Sequence, residues 1–463
     1  DAIVVGGGLS GLATAFHLQR AGLAVEVLEA GSRAGGVIGS CAHDAFLYET
    51  GPNSALDTTP LIDALLRDLR ILDQRVDASA LSKRRYVVRR GRLVALPMSP
   101  QAFFGTRLFS ARAKLALLRE PFVRAAVADA DESIAEFVLR RLGREFLDYA
   151  IDPFVAGVYA GDPDMISVRA AFPRLHALEQ NYGSLIRGQI RGARERRRSG
   201  ETAKNVAHSF SFREGMHALT RALVANIGSV TLGASVDRVA PASGGWRIEA
   251  RIEQQRVVRE ARRVVMATPA YATAPLVASF AEATAQALAE IPYAPIAVAA
   301  SAYRRADVGH PLDGFGMLIP RVERRRILGA LFSSSMFPGR APDNAVLLTA
   351  FVGGMRQPEL AQRSDEEVTA IVRDELASLL QAKAPLWTTI VRWPRAIPQY
   401  TRGHLERIAL VDAASREFRG LHFCANYRGG VAVGDCIRSA HELARSITSG
   451  DPRVDPLTMG DAA

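Results

Sequence analysis

The sequence predicts an α/β protein built around a discontinuous, Rossmann-like dinucleotide-binding domain. Three observations predict this fold. A strand, a glycine turn, a helix and a second strand open the chain; apolar strands near residues 264 and 421 return to the same sheet; and a mixed α/β segment lies between those returning strands. At 463 residues, the chain is long enough for two or three domains with cores of their own.

The opening of the chain carries a nucleotide-binding pattern. The apolar run Ala2 to Val5 predicts a strand that is buried on both faces of a parallel sheet. It leads into Gly6-Gly7-Gly8-Leu9-Ser10-Gly11, where Gly6 makes the tight turn, Gly8 lets a pyrophosphate approach, and Gly11 lets the next helix pack on the strand. The free N–H groups and the dipole of that helix bind a diphosphate without a lysine.

A second strand, Ala24 to Leu28, leads into Glu29, which lies 18 residues beyond Gly11. This spacing suits a carboxylate that accepts hydrogen bonds from an adenosine ribose. A glycine turn that only reverses the chain is the alternative. The combination of strand, turn, helix, strand and terminal acid argues against that alternative.

The residues after Glu29 distinguish between dinucleotides. Gly31-Ser32-Arg33-Ala34-Gly35-Gly36 places an arginine and a second glycine pair where they can meet the same diphosphate, and nicotinamide sites do not need this element. It resembles the Arg-x-Gly-Gly element of the amine oxidase-like flavoprotein superfamily, and the resemblance implies FAD as the cofactor. Val37 stands where many superfamily members carry another arginine, so phosphate contact is expected to depend more on Arg33.

The same resemblance assigns further residues to the flavin nucleotide. Tyr48-Glu49-Thr50-Gly51-Pro52-Asn53 is similar to a turn that passes close to the isoalloxazine ring, with an ordinary Gly-Pro turn as the alternative. Val236-Asp237-Arg238-Val239 is similar to a strand whose first valine offers backbone hydrogen bonds to adenine. The residues expected to bind FAD in these parts of the chain are Gly6, Gly8, Leu9, Ser10, Gly11, Glu29, Ala30, Arg33, Gly35, Gly36, Gly51, Pro52, Asn53 and Val236.

Composition limits the classes of function. The net charge of +10 is carried almost wholly by arginine, so anionic lipid headgroups or an anionic substrate are natural partners. The basic residues do not line one helix with interleaved aromatics, which argues against nucleic acid. Three widely spaced cysteines favour a reducing compartment over a disulfide framework or a metal site. No apolar run reaches the roughly 20 residues of a spanning helix. We therefore expect a cytoplasmic protein or one peripheral on a membrane, with room for a lost targeting segment before Asp1.

The order of patterns along the chain predicts three units, two of them discontinuous. The FAD-binding domain is expected to take residues 1–80, 201–290 and 406–463. A substrate domain with a mixed sheet is expected to take residues 81–98 and 291–405. Residues 99–200 are expected to form an inserted helical region that associates with membranes in one interpretation.

Local signals fix several elements within these units. A helix is predicted from Pro60, and another from Met216 to about Ile227. Arg84 to Val88 and Arg92 to Leu96 predict a hairpin around Arg89-Arg90-Gly91. In the helical region, Ser133-Ile134-Ala135-Glu136 predicts a capping box at the start of a helix.

Two basic stretches of the helical region allow either a purely structural or a functional interpretation. Phe103-Phe104-Gly105-Thr106-Arg107-Leu108-Phe109 puts four large apolar side chains beside a cation, with Arg112 and Lys114 following. Buried helix packing is the favoured interpretation, and a segment that dips into a membrane with its arginines at lipid phosphates is the alternative. The run from Arg187 to Arg198 is expected to be a solvated or disordered loop.

Several segments resemble one family closely, the oxygen-dependent protoporphyrinogen and coproporphyrinogen oxidases. The resemblance spans nearly the whole chain and includes segments that amine oxidases do not share. The segments that carry it are Phe154-Val155-Ala156-Gly157-Val158-Tyr159-Ala160-Gly161-Asp162-Pro163, Gly314-Phe315-Gly316-Met317-Leu318-Ile319-Pro320, Arg392-Trp393-Pro394-Arg395-Ala396-Ile397-Pro398-Gln399-Tyr400 and Gly429-Gly430-Val431-Ala432-Val433-Gly434-Asp435-Cys436.

The family resemblance implies oxidation of a porphyrinogen to a porphyrin. Six electrons leave in three two-electron steps through FAD, and O2 takes them up with release of hydrogen peroxide. The protein must hold a large apolar ring against the flavin and neutralise the propionates at its edge. Porphyrinogen and O2 are thus the implied partners, and a homodimer is one option for assembly.

The resemblance also assigns the substrate site. Arg85 is implied as the propionate partner, with an exposed strand arginine beside Arg84 as the alternative, because a register shift by one residue decides between them. The implied walls of the substrate pocket are Phe315, Leu318, Leu331 and Phe351, with ordinary core positions as the alternative. The implied closing segment against the flavin ring contributes Asn426, Val431, Ala432 and Val433, with a glycine-rich helix entry without a ligand as the alternative.

No side chain is predicted as an obligatory acid or base. His310, His404 and His422 lie near the matched motifs, and each is interpreted as a structural histidine. Placement of the substrate against the flavin is the expected catalytic term. Two rivals remain at this stage: an amine or polyamine oxidase on the same FAD domain, and a non-catalytic carrier on the same fold. Proto- and coproporphyrinogen are not distinguished by the sequence.

Overall fold

The computed structural model describes residues 1–127, 130–191 and 208–449, and these contain five β-sheets. Their strands, numbered in chain order, are β1 (Ala2–Val5), β2 (Val25–Leu28), β3 (Ser40–His43), β4 (Phe46–Glu49), β5 (Ala55–Leu56), β6 (Arg75–Asp77), β7 (Tyr86–Arg89), β8 (Arg92–Ala95), β9 (Ser209–Phe212), β10 (Val230–Thr231), β11 (Ser235–Ala242), β12 (Gly245–Ile252), β13 (Gln255–Ala261), β14 (Arg263–Met266), β15 (Tyr293–Arg304), β16 (Gly316–Leu318), β17 (Gly329–Leu331), β18 (Ala345–Gly353), β19 (Trp387–Pro398) and β20 (Leu421–Phe423).

Helices join and cover these sheets. The α-helices are Leu9–Arg20, Pro60–Asp68, Pro100–Gly105, Ala111–Ala116, Ile134–Arg141, Arg144–Phe146, Asp152–Tyr159, Val168–Ala171, Pro173–Tyr182, His217–Asn226, Ala270–Val277, Glu282–Ala289, Ser333–Met336, Asp365–Leu380, His404–Glu417 and Val433–Ser449. A π-helix, Leu147–Ile151, leads into Asp152–Tyr159, and the 3₁₀ turns are Leu72–Gln74, Ala80–Lys83, Leu117–Phe122, Arg305–Asp307, Arg321–Glu323 and Pro358–Gln362.

A five-stranded parallel sheet forms one end of the molecule. Its spatial order is β10, β2, β1, β14 and β20, and every neighbouring pair is parallel. Numbered along the chain within this sheet, the order is 3-2-1-4-5, which is the doubly wound, Rossmann-like arrangement. The prediction of a discontinuous Rossmann-like sheet is confirmed, because its strands come from residues 2–28, 230–266 and 421–423.

The first helix packs tightly on this sheet because position 11 has no side chain. A Cβ at Gly11 would lie 2.0 Å from the carbonyl oxygen of Gly6, so no larger residue fits there without moving the helix. Leu12, Ala15 and Leu18 of the helix are fully buried in the core that it shares with helices Pro60–Asp68 and Val433–Ser449. The glycine turn is thereby held rigidly at the end of the central strand.

A seven-stranded sheet forms the second layer, with the order β19, β15, β18, β17, β16, β7 and β8. All of its neighbours are antiparallel except β16 and β7, so the predicted mixed sheet is confirmed. The predicted hairpin is present as β7 and β8. Its strand begins at Tyr86 rather than at Arg84, and Arg89 pairs with Arg92, so the turn itself is only Arg90-Gly91. The boundaries of the six predicted segments stay predictions.

Local predictions for the remaining helices agree with the structure. The helix from Pro60 ends at Asp68, the helix expected from Met216 spans His217–Asn226, and the capping box of Ser133 and Glu136 is formed. No helix among the described residues is long and apolar enough to cross a membrane.

The two basic stretches of the helical region have different outcomes. Leu108 and Phe109 are buried, as the packing interpretation expected, but Phe104 is 71% exposed and contradicts that interpretation at its own position. Arg187 and Arg191 lie in a helix, so the expected loop is wrong at these positions. The part of the run that begins at residue 192 lies outside the described residues.

Candidate active site

The amino end of the first helix is free to accept an anion. The N-cap is Gly8, which has no side chain to cap the helix, and no acidic residue occupies the first turn. A Cβ at Gly8 would meet no atom within 4 Å, so this backbone faces open space. Unpaired N–H groups and the positive end of the helix dipole meet there. These residues fit a diphosphate group.

The second glycine pair lies against the first, and its predicted contact with the same diphosphate stays a prediction. The backbone N–H of Gly35 donates to the carbonyl oxygen of Gly7 at 2.7 Å. A Cβ at Gly36 would lie 3.3 Å from the Cα of Gly8, so the two glycine elements nearly touch. Larger side chains at either place would narrow the space in front of the helix.

Glu29 occupies the position expected of a ribose acid. Its two carboxylate oxygens accept hydrogen bonds from the backbone N–H groups of Gly7 and Gly31, both at 2.7 Å. Each oxygen keeps a lone pair for a further donor such as a hydroxyl. Ala30 beside it is exposed, and Val236 follows Ala234, whose N–H donates to the carbonyl oxygen of Glu29 at 2.8 Å.

Arg33 is committed to the backbone of its own loop. Its guanidinium donates to the carbonyl oxygens of Ile38 at 2.8 Å and Gly36 at 2.9 Å. These bonds shape the loop around Gly35 and Gly36. Contact of Arg33 with phosphate stays a prediction.

The turn from Glu49 to Asn53 is fixed from both sides. A Cβ at Gly51 would lie 2.1 Å from the carbonyl oxygen of Val37, so the turn passes directly over that loop, and Asn53 Nδ2 donates to the carbonyl oxygen of Gly51 at 3.1 Å. On the other side, Trp393 Nε1 of β19 donates to the carbonyl oxygen of Thr50 at 2.6 Å. This bond joins the nucleotide end to the seven-stranded sheet.

A buried ion pair supports the same turn from below. Glu49 and Arg340 are 2% and 3% exposed, and their charged atoms lie 3.0 Å apart. Glu49 also accepts hydrogen bonds from Ser40 and from the backbone N–H of Met216, at the amino end of helix His217–Asn226. Burial raises the pKa of the Glu49 carboxyl, and Arg340 opposes that shift.

One face of the seven-stranded sheet, here called the front face, carries the predicted pocket residues. Strand register aligns six residues in one row across the sheet: Val391, Val298, Phe351, Gly329, Leu318 and Val87. Residues paired across strands share a face, and so do residues two apart along a strand. Leu331 therefore lies on the front face two residues after Gly329. Gly316, paired with Leu331, and Gly329 carry no side chains, and a Cβ at either would lie 2.4 Å from a backbone carbonyl oxygen of the neighbouring strand. The predicted pocket residues on this face are Leu318, Leu331 and Phe351.

The same register decides between Arg84 and Arg85. Arg85 lies two residues before Val87, and its carbonyl oxygen accepts from the N–H of Leu96, so the strand geometry continues to it and places it on the front face. Arg84 lies on the opposite face with Tyr86, where both side chains bind the carboxylate of Asp313.

Of these two arginines, Arg85 is the one without an ionic or hydrogen-bonding partner among the described residues. Its guanidinium lies 5.4 Å from the ring centroid of Phe315, and it forms no hydrogen bond or ion pair with any other residue in the described ranges. Burial lowers its pKa from the ordinary arginine value. Arg85 stays charged at physiological pH, because the ordinary pKa of an arginine side chain is so high. A half-buried charge of this kind calls for an anionic ligand.

Helix Asp152–Tyr159, here called the wall helix, packs on the front face. A Cβ at Gly157 would lie 2.7 Å from Leu318 Cδ2, so the missing side chain lets the helix approach the predicted pocket wall. Ala156 of the same helix packs in one cluster with Val298 and Phe351. Asp152 anchors the start of the helix by a buried ion pair with Arg356.

The closing segment, Asn426 to Val433, follows strand β20 and enters the last helix. Gly429 and Gly430 have φ of 76° and 116°, values that L side chains rarely adopt. The N–H of Gly430 donates to Tyr400 Oη at 3.0 Å, and Tyr400 Oη donates to the carbonyl oxygen of Asn426 at 2.8 Å. Val431 is half-buried, Ala432 is exposed and Val433 is buried at the start of the helix.

The histidines near the matched motifs are held neutral. Burial lowers the pKa of His404 and of His422 to about 4, and it also lowers the pKa of His310. His404 Nε2 is 2.9 Å from the carbonyl oxygen of Tyr427, which makes Nε2 the protonated nitrogen. None of the three is poised as a general base near pH 7.

Sequence reasoning did not single out several residues that organise the site. Four of them lie inside matched motifs but had no predicted role: Tyr400, Gln399, Trp393 and Gly157. The Glu49–Arg340 ion pair could not be predicted from a local sequence pattern, because 291 positions separate the partners. Only the glycine at 157, an interruption in an otherwise apolar helix, could have suggested close packing.

Comparisons with known proteins agree on one group. The flavin containing amine oxidoreductase model matches residues 9–448. Protoporphyrinogen oxidase 2, chloroplastic/mitochondrial, of Arabidopsis thaliana is 33% identical, over 96% of this chain and 93% of the relative. Coproporphyrinogen III oxidase of Bacillus subtilis is 26% identical, over 94% of this chain and 95% of the relative.

The crystal structure of an Exiguobacterium sp. 255-15 protein, provisionally named a protoporphyrinogen oxidase, matches with a TM-score of 0.81. It is 23% identical and the match covers 97% of this chain and 99% of that one. Cyclohexylamine oxidase from Brevibacterium oxydans matches with a TM-score of 0.70 at 16% identity, covering 98% of this chain and 99% of that one. These two likenesses establish the fold.

Proposed function

This chain belongs to the flavin containing amine oxidoreductase family and, within it, to the protoporphyrinogen and coproporphyrinogen oxidases, and on that premise we propose that it oxidises a porphyrinogen to the porphyrin in heme biosynthesis. FAD is its cofactor. The observation that carries the proposal is Arg85, a half-buried guanidinium that forms no hydrogen bond or ion pair with any residue in the described part of the chain.

FAD supplies the acceptor for two electrons per step, and three steps with O2 convert one porphyrinogen and three O2 into one porphyrin and three hydrogen peroxide molecules. The contribution of the chain is to hold and orient. The free helix start at Gly8, the carboxylate of Glu29 and the turn at Gly51 to Asn53 hold the nucleotide. We assign Leu9, Ser10, Gly35, Gly36 and Val236 to the same nucleotide, as the family pattern implies.

Arg85 binds a propionate of the substrate. A charge-assisted hydrogen bond of this kind contributes about 1.5–3 kcal/mol, and it fixes which edge of the macrocycle points away from the flavin. Phe315, which lies under the guanidinium, limits its movement. Arg84 cannot take this role, because Asp313 already neutralises it on the opposite face.

Leu318, Leu331 and Phe351 hold the rings of the macrocycle. Strand register places these three side chains on the same face of the sheet, and each of them is only partly buried. Burial of apolar surface contributes roughly 25 cal/mol per Å², so a macrocycle with few polar groups binds mainly by this contact. Proton loss follows by tautomerisation of the substrate, since the nearby histidines are neutral and the site needs only to exclude water and keep the ring in place.

The distribution of lysines favours this reading over an amine oxidase. Lys114 donates to the carbonyl oxygens of Phe104 and Thr106, and Lys383 pairs with Asp307, so neither is free to bind at a flavin. Lys83 is exposed on a 3₁₀ turn. The fourth lysine, Lys204, lies outside the described residues.

The helical region supports peripheral association with an anionic membrane. Its exposed apolar side chains include Phe104 at 71%, Leu118 at 69% and Phe122 at 82% exposure. Exposed arginines, among them Arg107 and Arg119, alternate with them along the chain. Apolar groups that enter the lipid boundary beside cations that meet phosphates are typical of an interfacial surface. The expected location is the cytoplasmic side of such a membrane.

The decisive test is aerobic oxidation of protoporphyrinogen IX and coproporphyrinogen III side by side, followed by porphyrin fluorescence. We expect a yellow purified protein, oxygen uptake, and fluorescence with at least one of the two substrates. Turnover of benzylamine or spermine in place of both porphyrinogens would assign the chain to the amine oxidases. A colourless protein that still binds porphyrin would assign it to carriers.

The membrane proposal is tested by sedimentation with vesicles of phosphatidylglycerol or phosphatidylcholine. We expect binding to the anionic vesicles, a loss of binding in the Phe104→Ser, Leu118→Ser double variant, and no loss in Leu410→Ser. Leu410 is a matched control, because it is 44% exposed on helix His404–Glu417, outside the helical region. Equal binding of all three proteins would refute the assigned surface.

A further inference from the structure

We infer that Gln399 and Tyr400 are positioning residues that tie the closing segment to the wall helix and thereby set the gap in which the substrate meets the flavin. This inference rests on the proposed function, because the family resemblance implies that the closing segment lies against the flavin ring, and the wall helix packs against Leu318, which is proposed to contact the substrate. The two residues are consecutive in the chain. They follow strand β19, which carries Val391 of the front-face row.

Tyr400 holds the closing segment by both functions of its hydroxyl group. Tyr400 Oη donates to the carbonyl oxygen of Asn426 at 2.8 Å and accepts from the N–H of Gly430 at 3.0 Å. The side chain is 3% exposed, and water does not compete for these bonds. Because burial raises its pKa, the hydroxyl keeps the proton that the bond to Asn426 requires. Loss of the oxygen would leave two backbone groups of the segment without partners.

His404 adds a third point of attachment. Its ring stacks on that of Tyr400 with centroids 4.2 Å apart and planes 13° apart. Its Nε2 donates to the carbonyl oxygen of Tyr427. The two aromatic rings therefore bind three backbone groups within five residues of the closing segment. Gly429 and Gly430, which both have positive φ, give the closing segment little stiffness of its own.

Gln399 reaches the opposite wall of the site. Its Nε2 donates to the carbonyl oxygen of Tyr159 at 2.8 Å, at the last residue of the wall helix. The side chain is 1% exposed, and a Cβ at Gly161 would lie 2.7 Å from its Oε1, so it fits closely under that turn. The backbone carbonyl of Tyr400 accepts from the N–H of Ser167 at 2.8 Å and fixes the chain that leaves the same helix.

The two neighbouring residues therefore restrain different sides of the site. Tyr400 restrains the segment assigned to the flavin, and Gln399 restrains the helix whose Gly157 lies against Leu318. Neither side chain is placed among the residues that contact the substrate or the nucleotide. The ring of Tyr400 also contacts the ring of Tyr159 at 5.9 Å between centroids, but removal of the hydroxyl alone keeps this contact. Removal of the Tyr400 hydroxyl or of the Gln399 amide should therefore alter one side of the site and leave the other nearly unchanged.

The test compares the holoenzymes of Tyr400→Phe and Gln399→Met with the wild type. For Tyr400→Phe we expect at least a tenfold rise in the FAD dissociation constant, measured by dilution of the holoenzyme, an altered visible flavin spectrum, a lower kcat, and a KM within twofold of the wild type. For Gln399→Met we expect at least a fivefold rise in KM with an unchanged flavin spectrum and FAD dissociation constant. The control is Tyr303→Phe, which removes a hydroxyl buried in the core on the side of the seven-stranded sheet opposite the front face. This variant should change none of these values.

Unchanged FAD affinity and spectrum in Tyr400→Phe, or equal effects of both variants on FAD affinity and KM, would overturn the inference. His404→Phe keeps a ring for the stack and removes only the bond to Tyr427. It should shift the same flavin signals less than Tyr400→Phe, and it decides the question if Tyr400→Phe does not fold. The flavin spectrum and the FAD dissociation constant are measured without porphyrinogen. A wild-type protein that oxidises no porphyrinogen would therefore refute the proposed function without affecting this result.

Discussion

The two faces of the seven-stranded sheet are built from the same strands and differ in what covers them. On the covered face, a row of Ile390, Ala299, Ala350, Ala330, Met317 and Tyr86 packs under helix Asp365–Leu380. On the front face, Phe351, Leu318 and Leu331 remain partly exposed. The covered face stabilises the fold, and the front face keeps apolar surface for a ligand.

The same contrast holds for the charges of the two faces. Arg84 on the covered side meets Asp313, which also accepts a hydrogen bond from Tyr86. Arg85, its neighbour in the chain, meets only an aromatic ring among the described residues. Natural proteins rarely leave a half-buried charge without a partner. This difference between the two arginines is the basis on which we propose the front face as the substrate surface.

The largest effect is expected from damage to the covered face. Leu376 of helix Asp365–Leu380 is fully buried, so Leu376→Ala should lower the free energy of unfolding by about 2–5 kcal/mol through lost contacts and a cavity. Urea denaturation measures this loss. KM of the folded variant should match the wild type. A raised KM without a loss of stability would erase the distinction between the faces.

The next effect concerns the unpaired cation. Arg85→Ala should raise KM for the porphyrinogen about 10- to 100-fold, which corresponds to the loss of one charge-assisted hydrogen bond. FAD content should stay unchanged, as flavin absorbance will report. Arg84→Ala, the matched control from the other face, should leave KM within twofold. Flavin loss in Arg85→Ala, or equal KM changes in both variants, would contradict the assigned role.

A smaller effect is expected at the partly exposed apolar side chains of the front face. Phe351→Ala should raise KM about 3- to 10-fold, because a partly exposed ring contributes about 1 kcal/mol of apolar contact to a ligand. Its cost in unfolding free energy should stay well below that of Leu376→Ala, since the side chain is not fully buried. Steady-state kinetics and urea titration of the two variants give this comparison directly. A larger loss of stability in Phe351→Ala would place it in the core instead.

The smallest effect separates the stability of the fold from substrate binding by their dependence on pH. His404 and His422 have their pKa lowered to about 4 by burial, so the unfolded chain binds more protons between pH 4 and the ordinary value near 6.5. Stability is therefore complete above pH 6.5 and falls as the pH drops, by roughly 0.7 kcal/mol per histidine from pH 7 to 6. Arg85 does not titrate there, so KM should stay constant over the same step. A KM that follows the stability curve would argue for a titrating group in the substrate site.

Much of the architecture could be predicted because its signals are local. The run from Ala2 to Glu29 contains a strand, a turn, a helix and an acid within a few turns of chain, and the structure places them as expected. The hairpin at Tyr86 and the capping box at Ser133 follow from neighbouring residues in the same way. Phe104 was misjudged because burial depends on what covers a residue, which the local pattern does not encode.

The sequence by itself determined the nucleotide fold, because glycine spacing and apolar periodicity act over short distances, and its resemblance to a known family implied the flavin. Only the tertiary structure decided that Arg84 rather than Arg85 has an ionic partner among the described residues, because that partner, Asp313, lies 229 positions away from Arg84. Tertiary structure also brought Tyr400 to Gly430 and Trp393 to Thr50. Such contacts depend on how sheets and helices meet in space, and no local run of residues specifies that.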